Sequence, residues 1–188
     1  MHYLVASKPA PADFVSGLRL VADGEMISFE EPWSFGAPLI ARLDDDKVDA
    51  AKIRASLGPS VNAFAVEGLE APGSGQCYVL GGHIMRDIER FKSYAAAVPE
   101  VVKSFDGRFL ARGGTVTPIA GQFVPERVVL LEFPTAEDAL TFYISDRYAP
   151  LLKIRLATSE ARLVIVARSG DFPAPVRAKA AAYLRGRR

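Results

Sequence analysis

Residues 88–105 place apolar side chains at Ile88, Phe91, Ala95, Val98, Val102 and Phe105. Steps of three and four put these side chains on one helix face. Pro99 sits inside this stretch, where it removes a backbone bond and favours a kink, and Gly107 follows as a stop. On either side the period changes to two. "QCYVLGGHIM" (76–85) predicts a strand, and "RFLARGGTVTPIAGQFVPERVVLLEF" predicts two more, 108–119 and 127–133, joined around Gly121. Gly113-Gly114 is expected to form a bulge in the first of them. "PTAEDALTFYIS" predicts a helix opened by Pro134 and Thr135, "DRYAPLLKIRLATS" a second short helix, and "ARLVIVAR" (161–168) a last strand. The order strand, helix, strand, strand, helix, strand is the ferredoxin-like split βαβ pattern.

The first half yields the same order. "HYLVAS" predicts a strand, and "PADFVSGLRLVA" a helix ended by Asp23-Gly24. "EMISFEE" and "APLIARL" predict strands, "DDDKVDAAKIRASLG" a helix with acidic residues at its positive end, and "VNAFAVEGL" a strand. The residues do not repeat between the halves; only the element order does. The expected organisation is a divergent βαββαβ unit over 1–71, a linker at 72–75, a second unit over 76–168 and a basic tail over 169–188. A split βαβ sheet is covered by helices on one face and must bury the other. The expected fold is therefore α+β, two ferredoxin-like units in tandem whose sheets pack as an intramolecular dimeric α/β-barrel. The alternative is an irregular first half and a second half that pairs with another chain.

The chain has 188 residues and a formal charge of +1, so no global field recruits nucleic acid or anionic membrane. Its single cysteine, Cys77, excludes a disulfide framework within the chain, and no stretch reaches the length of a membrane span. The expectation is a cytoplasmic protein. Two histidines and one cysteine form no closely spaced ligand set, so neither a metal nor a cofactor is expected. "FDGRFLARGGTV" (105–116) lacks the lysine and hydroxyl of a phosphate-binding loop and leads into a strand rather than a helix.

Residues 76–168 resemble the DUF1330 family of the dimeric α/β-barrel superfamily. The resemblance rests on Tyr78, "SYAAAVPEVVKSFDGRFLARGG", "PERVVLLEFP" and "ALTFYISDRYAPLLKIR". It covers about half the chain and implies the ferredoxin-like fold, with two sheets paired around a cavity. It implies no activity. Some members of the wider superfamily are cofactor-independent monooxygenases, haem-degrading enzymes or chlorite dismutases, an analogy at the level of fold.

Strand alternation sets Cys77, Val79, Gly81 and His83 on one side, with Arg108, Leu110 and Arg112, with Val128, Leu130 and Glu132, and with Arg162, Val164 and Val166. This polar-bearing set is expected to face the space between the sheets, with Arg112 opposite Glu132 as an ion pair. Such a pair serves either a ligand or the register of the strands. His83 is the candidate proton shuttle, set against the plainer reading of a hydrogen-bonded structural histidine. Tyr143, Tyr148 and Arg155 are candidates to close a cavity mouth and hold a carboxylate in the arginine fork, set against half-buried helix tyrosines. Trp33, in "EPWSFGAP", is a candidate lid or a loop anchor. The tail "PAPVRAKAAAYLRGRR" is read as a solvated or frayed helix rather than a nucleic-acid contact. The expected function is small-molecule binding between two antiparallel sheets, extending to a cofactor-independent enzyme. The alternative is an interaction or assembly module whose sheet–sheet interface is filled, either as a pseudo-dimer within one chain or as a homodimer.

Overall fold

The computed structural model describes residues 1–30, 35–44, 47–58 and 60–186. Ten strands and six helices follow in the order β1 (His2–Ser7), α1 (Ala12–Ser16), β2 (Arg19–Ala22), β3 (Met26–Ser28), β4 (Pro38–Leu43), α2 (Ala50–Ser56), β5 (Ala63–Glu67), β6 (Cys77–Met85), α3 (Ile88–Lys103), β7 (Arg108–Arg112), β8 (Val116–Ala120), β9 (Arg127–Phe133), α4 (Ala136–Ile144), α5 (Ala149–Thr158), β10 (Ser159–Ala167) and α6 (Ala174–Gly186). The fold is α+β with two antiparallel five-stranded sheets, ordered β2-β4-β1-β5-β8 and β3-β10-β6-β9-β7.

Each sheet takes four strands from one half and the fifth from the other. β3 leaves the first half to pair with β10, with Ile27 opposite Ile165. β8 leaves the second half to pair with β5, with Thr117 opposite Ala65. Without the exchanged strands both halves have the same spatial order, the fourth long strand beside the first, then the third, then the second.

This exchange corrects two expectations. The segment expected as one helix to Ala22 is a helix only to Ser16; beyond Gly17 the chain becomes β2, hydrogen-bonded to β4. The segment expected as one strand, 108–119, is two strands in two sheets. Gly113, at φ +71°, turns the chain between them, a conformation glycine adopts without a Cβ penalty. The register shift falls earlier, between Phe109 and Ala111.

Local chemistry fixes the helix starts. Asp49 accepts from the Lys52 amide and Asp87 from the Arg90 amide. Thr135 and Asp138 form a reciprocal capping box at α4. α3 runs through Pro99 as one element.

Three apolar clusters hold the layers. Between the sheets, Tyr3, Val5, Ile40, Phe64 and Val66 meet Tyr78, Leu80, Leu110, Val128, Leu130, Val164 and Val166. Burying such side chains contributes roughly 1.5–3 kcal/mol each. On the outer face of the second sheet, Val79, Leu131, Phe133 and Ile165 pack with residues of α3, α4 and α5. The outer face of the first sheet carries a smaller cluster that includes Leu4, Ala41 and Ala65. The C-terminal segment is not a solvated tail: α6 buries Val176 and Ala180, and Phe172 is buried before it.

Candidate functional site

The inter-sheet space, expected to hold the polar set, is filled with side chains among the described residues. Cys77 and Val79 belong to the helix-side core instead, and His83 stacks edge-on against Phe91 of α3 at 5.8 Å. The alternation assigned to β6 is therefore inverted. In β7 the register shift places both Leu110 and Ala111 in the inter-sheet core. Arg112 consequently turns to the helix side, where it donates to the Ala95 carbonyl of α3.

The expected Arg112–Glu132 pair is replaced by Arg108–Glu132. Arg108 lies directly opposite Glu132 and reaches it at 2.6 Å. Arg112 lies opposite Val129. The buried Glu132 also accepts from the amides of Gly73 at 2.9 Å and Gly75 at 3.1 Å, and from the Tyr78 hydroxyl at 3.2 Å. Arg108 in turn donates to the Ala71 carbonyl, and Arg168 to Gly75. Glu132 thus pins the linker: a Cβ at Gly75 would come within 2.3 Å of the Glu132 side chain. Its acceptor capacity is consumed by structure.

His83 is 2 % exposed, and its Nδ1 lies 3.2 Å from the Ser159 hydroxyl. That hydroxyl donates its proton to the Arg155 carbonyl, so Nδ1 carries the hydrogen in this contact. Burial, then the charges of Arg155 and Arg127, push the imidazole pKa down to about 3. A neutral, enclosed imidazole is a poor proton shuttle near pH 7. His2 stands at the start of β1, in the other sheet.

Tyr143, Tyr148 and Arg155 do come together, and around a carboxylate. It is the chain's own Glu30, which the sequence reading did not single out. Arg155 is fully buried and binds Glu30 in a two-pronged fork, Nη1 to Oε2 at 2.9 Å and Nη2 to Oε1. Tyr143 donates to Glu30 Oε1 at 2.9 Å, Arg155 Nε donates to the Tyr148 hydroxyl at 3.0 Å, and the Tyr94 hydroxyl lies 3.3 Å from that of Tyr148. Burial and the Glu30 carboxylate hold the Tyr143 hydroxyl far above its usual range, so it stays a donor. Trp33 lies outside the described residues.

A second cationic cluster adjoins this network. Phe91, Tyr94, Ala95, Val98, Phe109, Arg112, Arg127, Val129 and Leu131 line a cleft of about 20 Å³ between α3 and the outer face of the sheet. Arg112 stacks over Phe109 at 4.9 Å and Arg127 over Phe91 at 5.5 Å. Neither arginine has a carboxylate partner among the described residues, and Arg127 Nε is buried without a hydrogen bond. Burial, then the Arg112 charge, lowers the Arg127 pKa. The sequence reading missed Arg127. Arg127 sits opposite His83 at the start of β9, a placement set by the β6–β9 register and not by any local pattern.

Elsewhere, a groove of about 590 Å³ opens between α1, α2 and the end of β4, with Phe14, Leu18, Leu43 and Ile53 among its walls and Lys47 and Lys52 at its rim. No cluster of three or more metal-ligating side chains occurs among the described residues. No helix among them is long and apolar enough to cross a membrane. The Cys77 thiol is buried and its pKa is pushed up to about 12 by desolvation, which keeps it protonated and unreactive.

Residues 76–169 match the family model described as "Domain of unknown function (DUF1330)". No curated protein matches the chain. Among solved structures, the RPA0582 protein of unknown function from Rhodopseudomonas palustris is similar at 17% identity and a TM-score of 0.44, over 50% of this chain and 83% of that one. A "putative monooxygenase from Lactobacillus acidophilus NCFM" is similar at 9% identity and a TM-score of 0.48, over 89% of this chain and 93% of that one. Likenesses this distant carry no argument about activity.

Proposed function

The chain belongs to the DUF1330 family, and we propose that it binds a small carboxylate-bearing molecule in the cleft between α3 and the second sheet, held by Arg112 and Arg127. One observation carries this reading: two adjacent guanidinium groups, one with a buried and unpaired Nε, share an aromatic-walled cleft without a counter-charge among the described residues. Partly buried like charges cost free energy, and an anion between them offsets it. The arginine fork suits a planar carboxylate, and Phe91, Tyr94 and Phe109 suit an apolar or aromatic body beside it. The enclosed volume admits about one water-sized group, so the anionic end enters first. A larger body requires Arg112 to release the Ala95 carbonyl. The reading is of binding rather than acid–base catalysis, because the one nearby imidazole is held neutral by its surroundings.

Benzoate tests it, compared with chloride at equal ionic strength. Isothermal titration should give saturable binding with one site per chain, lost in Arg127→Ala and weakened at least tenfold in Arg112→Ala. Saturable binding that both variants retain would move the site elsewhere. A second reading has its own support. The continuous apolar core between the sheets fits a scaffold that assembles with partners and holds no ligand there. No benzoate binding, together with a native mass spectrum free of any retained small molecule, would favour that reading.

A further inference from the structure

The segment Met26–Glu30 enters the second half as a bound peptide would. β3 adds to the edge of β10 by main-chain pairing. The Phe29 amide continues the pairing to the Leu163 carbonyl at 3.0 Å. The Phe29 ring packs on Tyr143 at 4.3 Å and on Tyr183 of α6 at 6.3 Å. Glu30 then delivers its carboxylate to Arg155 and Tyr143. Among the described residues, those that receive that side chain are supplied by the second half and the carboxylate by the first.

We propose that Arg155, Tyr143 and Tyr148 form a carboxylate receptor, and that Glu30 is its resident, intramolecular ligand. The recognised chemistry is a small aliphatic monocarboxylate presented to a two-pronged guanidinium and a phenol donor. The pocket is distinct from the Arg112–Arg127 cleft and does not depend on its function. Arg155 is fully buried while Glu30 compensates it. Removal of the Glu30 carboxylate leaves a cavity with a stranded cation and two oriented phenols, the condition under which an external anion binds. The Glu30 side chain beyond Cβ has the size and charge of acetate, which defines the probes. Benzoate is too large for the space it vacates.

Chemical rescue of Glu30→Ala in the full chain tests this. Its melting temperature, titrated with sodium formate or acetate against sodium chloride at equal ionic strength, should rise saturably by several degrees. The rise should exceed any wild-type response, which reports other anion sites. It should vanish in the double variant Glu30→Ala with Arg155→Met, which removes both charges and restores folding without an anion. If Glu30→Ala does not fold in chloride, production in formate should return soluble, cooperatively melting protein. Rescue by chloride as strong as by formate would overturn the proposal. So would insolubility of Glu30→Ala in formate beside a soluble double variant, or rescue that persists without Arg155.

Discussion

The two halves share one strand order and differ in what they bury. In the first half the helices on the outer sheet face are short, five and seven residues, and neither buries a residue. The core beneath them is wholly apolar, and an open groove lies alongside. In the second half α3 has sixteen residues and buries Phe91, Tyr94, Val98 and Val102, and α5 buries Arg155. His83, Glu132, Arg155, Thr158 and Ser159 are all buried there, whereas the first half buries Ser7 and Glu30, and Glu30 is held by Arg155 of the second half. Long helices can enclose polar groups because they exclude water over a wide area; short ones cannot. The difference teaches that two halves with one strand order can differ in the polar groups they enclose. The other half supplies a sheet to cover the inner face, an edge strand and one carboxylate.

The comparison breaks most sharply at Arg155. Arg155→Ala strands Glu30 in a dry site and should cost about 3–5 kcal/mol by urea denaturation. Ile53→Ala, at the half-buried floor of the first-half groove, should cost less than about 2 kcal/mol. Equal losses would mean that the polar network is not what distinguishes the second half.

His83 gives the next largest effect, a pH dependence. The unfolded imidazole titrates near 6.5 and the folded one near 3. As the pH falls the unfolded chain takes the proton first, so this contribution is complete above about 6.5 and is lost progressively as pH drops toward 3. Between pH 7 and pH 4 the wild type should lose on the order of a few kcal/mol more stability than His83→Gln. Parallel pH profiles would show that His83 gains its proton without penalty.

Glu132→Ala leaves the Gly73 and Gly75 amides unsatisfied, while Arg108, 40% exposed, can turn to water. The expected loss is about 1–3 kcal/mol, clearly below that of Arg155→Ala, together with faster proteolysis of the 71–76 segment. Unchanged proteolysis would remove its role as the clamp on the linker.

The smallest effects belong to the proposed ligand site. Gly113→Ala strains a positive φ and sets a methyl within 2.4 Å of the Arg127 guanidinium. It should cost about 1 kcal/mol and weaken benzoate binding. Arg112→Ala relieves a like charge and should change stability by no more than about 0.5 kcal/mol while still weakening benzoate binding. A large stability loss in Arg112→Ala would make that arginine structural.

Much of this was legible locally. The helix over 88–103 with its buried Phe91, Val98 and Val102, the Thr135 start of α4 and the strands β1, β4, β5, β6 and β9 follow from neighbours in sequence, although Ile88, placed on the same apolar stripe, is exposed. Tyr143, Tyr148 and Arg155 stood in the sequence as candidates for a carboxylate, set against half-buried helix tyrosines; all three are buried, Tyr143 on α4, Tyr148 at the start of α5 and Arg155 within it. Their ligand was not legible. Glu30 and Arg155 are 125 positions apart and meet only because β3 crosses to β10.

The same reason separates the two kinds of knowledge throughout. The sequence alone determined the α+β class and the order of most elements, since these depend on periodicity and residue type. Tertiary structure decided which strands change sheets, that Arg108 rather than Arg112 meets Glu132, that His83 faces the helices, and that the inter-sheet space is filled. Each of those turns on register. One shifted residue between Phe109 and Ala111, or one strand added to a distant edge, reverses a face. Registers are set by pairing and packing between segments far apart in the chain, which no local pattern records.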